Sequence, residues 1–84
     1  MDDLDDLSGV PRYQQAARII EREIIAGIWP IGSPIPSRIA LGQRFGIAQA
    51  TAGRVHGVLA ERGYVVAVPG VGMVVTPRDR WPQD

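Results

Sequence analysis

Between Ser33 and Gly63 the chain has no room for one long element. Pro34 and Pro36 keep Ser33-Pro34-Ile35 extended, because a residue before proline is pushed out of the helical region. Ser37 then offers a side-chain oxygen to cap a helix over residues 38–45. Ile39, Ala40, Leu41 and Phe45 are its expected buried side. Gly46 supplies a tight corner, and a further helix is expected from Gln49 to about Arg62. Ala52, Val55, His56 and Leu59 recur on it at helical spacing as the inward stripe, and Gly63 stops it.

The flanks complete the pattern. Pro11 suits the start of a first helix, expected from Arg12 to Ala26, because proline lacks only a donor that would be orphaned there. Tyr13, Ala17, Ile20 and Ile24 form one apolar stripe on it, and Gly27 ends it. Ile28 and Trp29 are expected to fold back onto the core. Tyr64–Val68 and Met73–Val75 are β-rich, and Pro69-Gly70-Val71-Gly72 joins them as a four-residue hairpin loop. The predicted fold class is mainly α with a small β-hairpin: a winged helix-turn-helix of three helices plus a wing, over residues 11–76. Residues 1–10 are expected to be an acidic flexible tail and residues 77–84 a coil tail. Trp81, in that second tail, is free to dock on the domain or on a partner.

Composition narrows the function. Eighty-four residues make one small domain. With no cysteine and one histidine, disulfides and a thiolate or zinc site are not expected, and no cofactor is implied. No serine or threonine has a histidine and an acid at motif spacing. Gly70-Val71-Gly72 is a hairpin tip without a following helix, so it is not a dinucleotide fingerprint; an enzyme is not expected. The acidic start, Met1-Asp2-Asp3-Leu4-Asp5-Asp6, is the opposite of a signal peptide, and no apolar stretch approaches the roughly 18 residues of a membrane span. These features lead to the expectation of a cytoplasmic chain with no membrane partner.

The net charge of zero conceals a division. Four aspartates lie in the first six residues, while Leu7–Arg78 carries eight arginines against three glutamates, a net of +5. A basic body suits phosphate binding, and equally an ordinary solvated arginine surface. The acidic tail either shields that body or simply solvates the chain.

Residues 11–76 resemble the N-terminal DNA-binding domain of the gluconate-repressor-type (GntR) transcription regulators. The resemblance rests on Tyr13-Gln14-Gln15, Ile24-Ile25-Ala26-Gly27, Gly32, Ile35-Pro36-Ser37, Leu41, Phe45-Gly46-Ile47, Thr51, Leu59, Gly63-Tyr64-Val65 and Gly70-Val71-Gly72, in that order. It implies a domain that binds double-stranded operator DNA as a homodimer, with helix three in the major groove and the wing at the neighbouring minor groove. Family members usually continue into a ligand-binding domain, so no small-molecule effector is expected within this chain.

The departures from the family pattern concern charge. The family usually has Ser-Arg at the start of helix three and an arginine two residues after the threonine; this chain has Ala48, Gln49 and Gly53. Pro-Ser-Glu, often followed by arginine, becomes Pro36-Ser37-Arg38-Ile39, and Gly-Arg-Gly at the wing becomes Gly70-Val71-Gly72. Ala48 gives up a cap oxygen, and Gly53 lowers helix propensity, each at about 1 kcal/mol.

The remaining candidate DNA-binding residues are Ser37, Arg38, Gln49, Thr51, Arg54, Gly70 and Gly72. Gln49 can read adenine or accept from a phosphate-bound water. Thr51 can meet a phosphate or a thymine methyl, or bond back to its own helix. Arg38 can reach a phosphate or pair with a surface acid. Arg54 is placed outward on helix three, whereas Arg44 suits a helix C-terminal charge better than base reading. His56 is expected to be partly buried and hydrogen-bonded. Two functions follow: a sequence-specific DNA-binding transcription regulator, or a winged protein-interaction module whose hairpin presents Val68, Pro69, Val71 and Met73 to a protein partner.

Overall fold

The computed structural model describes residues 4–83. Helices α1 (Arg12–Ile25), α2 (Arg38–Phe45) and α3 (Gln49–Glu61) precede strands β1 (Val65–Val68) and β2 (Gly72–Val75), and a one-turn 3-10 helix follows at Arg78–Arg80. The order is that of a winged helix-turn-helix.

The glycine after α1 closes it as the sequence implies. Gly27 N–H donates to Ile24 O at 3.0 Å and Ile28 N–H to Glu23 O at 2.9 Å, the paired bonds that satisfy the last carbonyls. The same pairing follows α3, where Gly63 N–H reaches Ala60 O at 3.0 Å and Tyr64 N–H reaches Leu59 O at 2.9 Å. Ser37 caps α2 by accepting from Ala40 N–H at 3.1 Å, whereas Ala48 gives α3 no side-chain cap.

β1 and β2 pair antiparallel, Val65 with Val75 and Val68 with Gly72. The extended segment before α2 joins them. Ile35 N–H donates to Met73 O, and Val75 N–H to Ser33 O, each at 2.9 Å, with Pro34 bridged to Val74. The wing is thereby tied to the start of α2 by main-chain bonds.

The core gathers Ile20 and Ile24 of α1, Leu41 and Phe45 of α2, Val55 and Leu59 of α3, and Val75 of β2, all fully buried. Each such side chain contributes roughly 1.5–3 kcal/mol of burial. Three expected core members lie outside it, of which Ala40 is half-buried beside Leu41. Ile39 is 57% exposed, because it stands two residues before Leu41 and so on the opposite side of a helix that buries only Leu41 and Phe45. Ile28 is 60% exposed; only its neighbour Trp29 turns back, and its indole N–H donates to Glu23 Oε1 at 2.9 Å.

The C-terminal residues depart from the coil expected of them. Trp81 is buried, its indole N–H donates to Thr76 O at 3.0 Å, and its ring lies 5.7 Å from that of Tyr64. At the other end, residues 5–10 loop over the start of α1. The Gln15 side chain donates to Asp5 O at 2.7 Å and Val10 O at 2.8 Å, and Asp6 pairs with Arg12 at 3.3 Å. Asp2, Asp3 and Asp84 lie outside the described residues.

Arg44 ties the end of α2 to α1. It donates to both oxygens of Glu23, at 2.8 Å from Nη1 to Oε1 and also from Nη2 to Oε2. These hydrogen bonds hold the Glu23 carboxyl below its ordinary range, against the opposing effect of burial. A depressed folded-state value contributes stability that is full above the unfolded carboxylate range and is lost as pH falls through the folded value. Glu23→Gln is expected to cost about 1–2 kcal/mol at neutral pH. It should also flatten the acid limb of stability, as measured by urea unfolding at neutral and acid pH.

Candidate nucleic-acid interface

α3 packs its inner stripe, Ala52, Val55 and Leu59, against the core and leaves Gln49, Ala50, Arg54, Gly57 and Ala60 exposed. This outer side begins at an uncapped N-terminus. Gln49 stands in its first turn. Thr51 is half-buried, and its hydroxyl reaches no partner among the described residues. Arg54 leans toward α1, with its guanidinium 4.9 Å over the Tyr13 ring.

A groove of about 420 Å³ opens between the start of α2, α3 and the wing. It brings together four of the seven expected residues: Ser37, Arg38, Gly70 and Gly72. Its floor is apolar, with Ile35 and Met73 among the lining residues. Gln49, Thr51 and Arg54 lie outside it, on α3. His56 lines it as well. Its half-buried ring bonds Pro36 O at 2.8 Å through Nε2, which therefore donates. The sequence identified the histidine as hydrogen-bonded but not as part of this groove; a polar residue on an otherwise apolar stripe is the signal that could have suggested it.

The Arg38 side chain is exposed and makes no hydrogen bond or ion pair among the described residues. It lies against α3 at Gly53, where an ideal Cβ would sit 3.4 Å from both Cζ and Nε of the arginine. Arg44, by contrast, is committed to Glu23.

The model of the bacterial regulatory proteins of the gntR family matches residues 12–75, which is most of the chain. The chain belongs to the gntR family. It is similar to the HTH-type transcriptional regulator YdcR of Escherichia coli, 33% identical over 70 residues, covering 80% of this chain and 14% of that protein. It is also similar to YdfD of Bacillus subtilis, 35% identical over 66 residues, covering 79% of this chain and 14% of that one. The chain thus spans about a seventh of the length of these relatives. In structure it matches AraR(DBD), crystallised in complex with operator ORX1, with a TM-score of 0.81 at 29% identity over 90% of this chain and 96% of that one. No described helix is long and apolar enough to cross a membrane.

Proposed function

We propose that this gntR-family chain is a sequence-specific DNA-binding transcription regulator, with α3 in the major groove and the β1–β2 wing at the neighbouring minor groove. The observation that carries this reading is the groove joining Ser37 and Arg38 to the wing glycines Gly70 and Gly72, beside a free outer side of α3. The sugar–phosphate strand separates the two DNA grooves, so a helix in one and a hairpin in the other straddle it. Backbone amides and a guanidinium at that junction suit phosphate contact. Gln49 and Thr51 on the first turns of α3 are the base-facing candidates, and Arg54 flanks them.

The match to a domain crystallised in complex with an operator supports DNA binding. We extend the reading to a homodimer on a two-fold site, to a cytoplasmic setting and to a non-enzymatic role. Selection of bound duplexes from a random pool tests it, followed by anisotropy titration across salt. An inverted repeat should emerge, and log affinity should fall with log salt at about 0.9 per phosphate neutralised. Absence of salt-sensitive binding to any duplex would overturn the regulator reading.

One observation favours the alternative of a protein-interaction module. β1 has a free edge in the two-stranded sheet, and Val66, Val68 and Val71 are exposed on the hairpin. A pull-down recovering one stoichiometric protein partner without nucleic acid would favour that module.

A further inference from the structure

We propose that Arg38, seated across Gly53, is the cation that α2 lends to the outer side of α3, and that residues 38 and 53 act as one unit in holding a DNA phosphate. The inference rests on the DNA-binding reading above and goes beyond it by assigning a role to a glycine.

Gly53 has no backbone reason to be glycine. It lies inside α3 and is not among the residues with positive φ. A glycine there lowers helix stability by up to about 1 kcal/mol relative to alanine. What the missing side chain leaves is a seat. The three atoms nearest an ideal Cβ all belong to Arg38: Cζ and Nε at 3.4 Å and Cδ at 3.8 Å. A methyl at position 53 would make ordinary contact with the guanidinium. Any longer side chain would occupy its place.

The surroundings give that seat its use. On the outer side of α3, Ala50, Gly57 and Ala60 carry no charge, and Arg54 is stacked on Tyr13 toward α1. Arg38 therefore brings a second guanidinium to a stretch of helix whose own cation, Arg54, is turned toward α1. Its donors have no partner among the described residues, and it also lines the groove beneath the wing. It stands between the helix and the hairpin, where a straddled phosphate strand must pass. The chain's departures at Arg38 and Gly53 then have one explanation. At position 53 the positive charge comes from α2 rather than from α3, while Arg54 leans away toward Tyr13.

The test is anisotropy titration of a labelled mixed-sequence duplex across a salt series. It uses the whole chain and four variants, with a thermal melt by circular dichroism for each. Arg38→Ala is expected to bind roughly tenfold more weakly, with the salt slope reduced by about one. Gly53→Leu should displace the guanidinium and lose a similar factor. The double variant Arg38→Ala/Gly53→Leu should lose no more than Arg38→Ala alone. Arg38→Ala/Gly53→Arg should recover most of the affinity, because the cation is restored from α3.

Wild-type affinity and slope in Arg38→Ala would overturn the proposal while leaving the DNA reading intact. A double variant weaker than Arg38→Ala would show the leucine obstructing DNA directly, and would overturn the coupling. Failure of the unmodified chain to bind this duplex and every duplex from the random-pool selection would remove the DNA reading, and this inference with it.

Discussion

Replacing Gly63 with alanine is expected to cost about 3–5 kcal/mol of folding stability. Gly63 sits at φ +89°, a conformation that an L side chain adopts only under strain. Strain of that kind alone accounts for about 1 kcal/mol. The larger part comes from the C-terminal turn. An ideal Cβ at Gly63 would overlap Arg80 O and lie 3.3 Å from its carbonyl carbon. Both are main-chain atoms, so no rotamer change relieves the clash. The Arg78–Arg80 turn must move, and the expected cost includes the packing of Trp81 that moves with it. Urea unfolding followed by circular dichroism reads the loss directly. A variant within about 1 kcal/mol of the parent would mean that the turn does not depend on its seat at Gly63.

How much of this was legible depended on whether the deciding contact was local. Helix α1 was visible because Tyr13, Ala17, Ile20 and Ile24 repeat at its period, and its end was visible because only local bonds to Gly27 close it. Ser37 as a cap, Ala48 as a missing cap and the hairpin loop are likewise decided within a few residues of themselves. Ile39 shows the limit of composition: a short helix with several apolar residues does not bury them all, and its angle around the axis left it outside. The Glu23–Arg44 pair spans 21 positions, and no spacing rule connects them.

The candidate site divides in the same way. Its residues could be named from the order of motifs, but not which of them share a groove. The segment Ser33–Ile35 draws Ser37 and Arg38 to the wing by pairing with β2. That pairing depends on non-local main-chain bonds. His56 enters the groove through the same arrangement, by bonding Pro36. The seating of Arg38 on Gly53 joins two helices across 15 positions and is marked in the sequence only by an unexplained helical glycine.

Trp81→Ala is expected to cost about 3 kcal/mol, at the lower end for a buried tryptophan because the residue keeps 8% of its surface exposed. The side chain closes a chain of contacts that spans the domain. Its ring tilts against Tyr64, the Tyr64 hydroxyl donates to Glu21 on α1 at 2.6 Å, and Arg78 covers the other part of the indole at 4.8 Å. Trp81→Phe should keep most of the packing and lose the bond to Thr76, at about 1 kcal/mol. Urea unfolding of the three proteins orders them. The decisive comparison is the double variant Gly63→Ala/Trp81→Ala. If the Gly63 methyl acts by expelling the turn, the indole is already out of the core, and removing it adds little. Its loss should then fall short of the sum of the single losses by about 2 kcal/mol or more, a strong coupling for residues that share one structural element. Additive losses would mean that the indole stays docked when the turn is disturbed. The hold on Trp81 would then come from Tyr64 and Thr76, with no contribution from the close approach of Arg80 to Gly63.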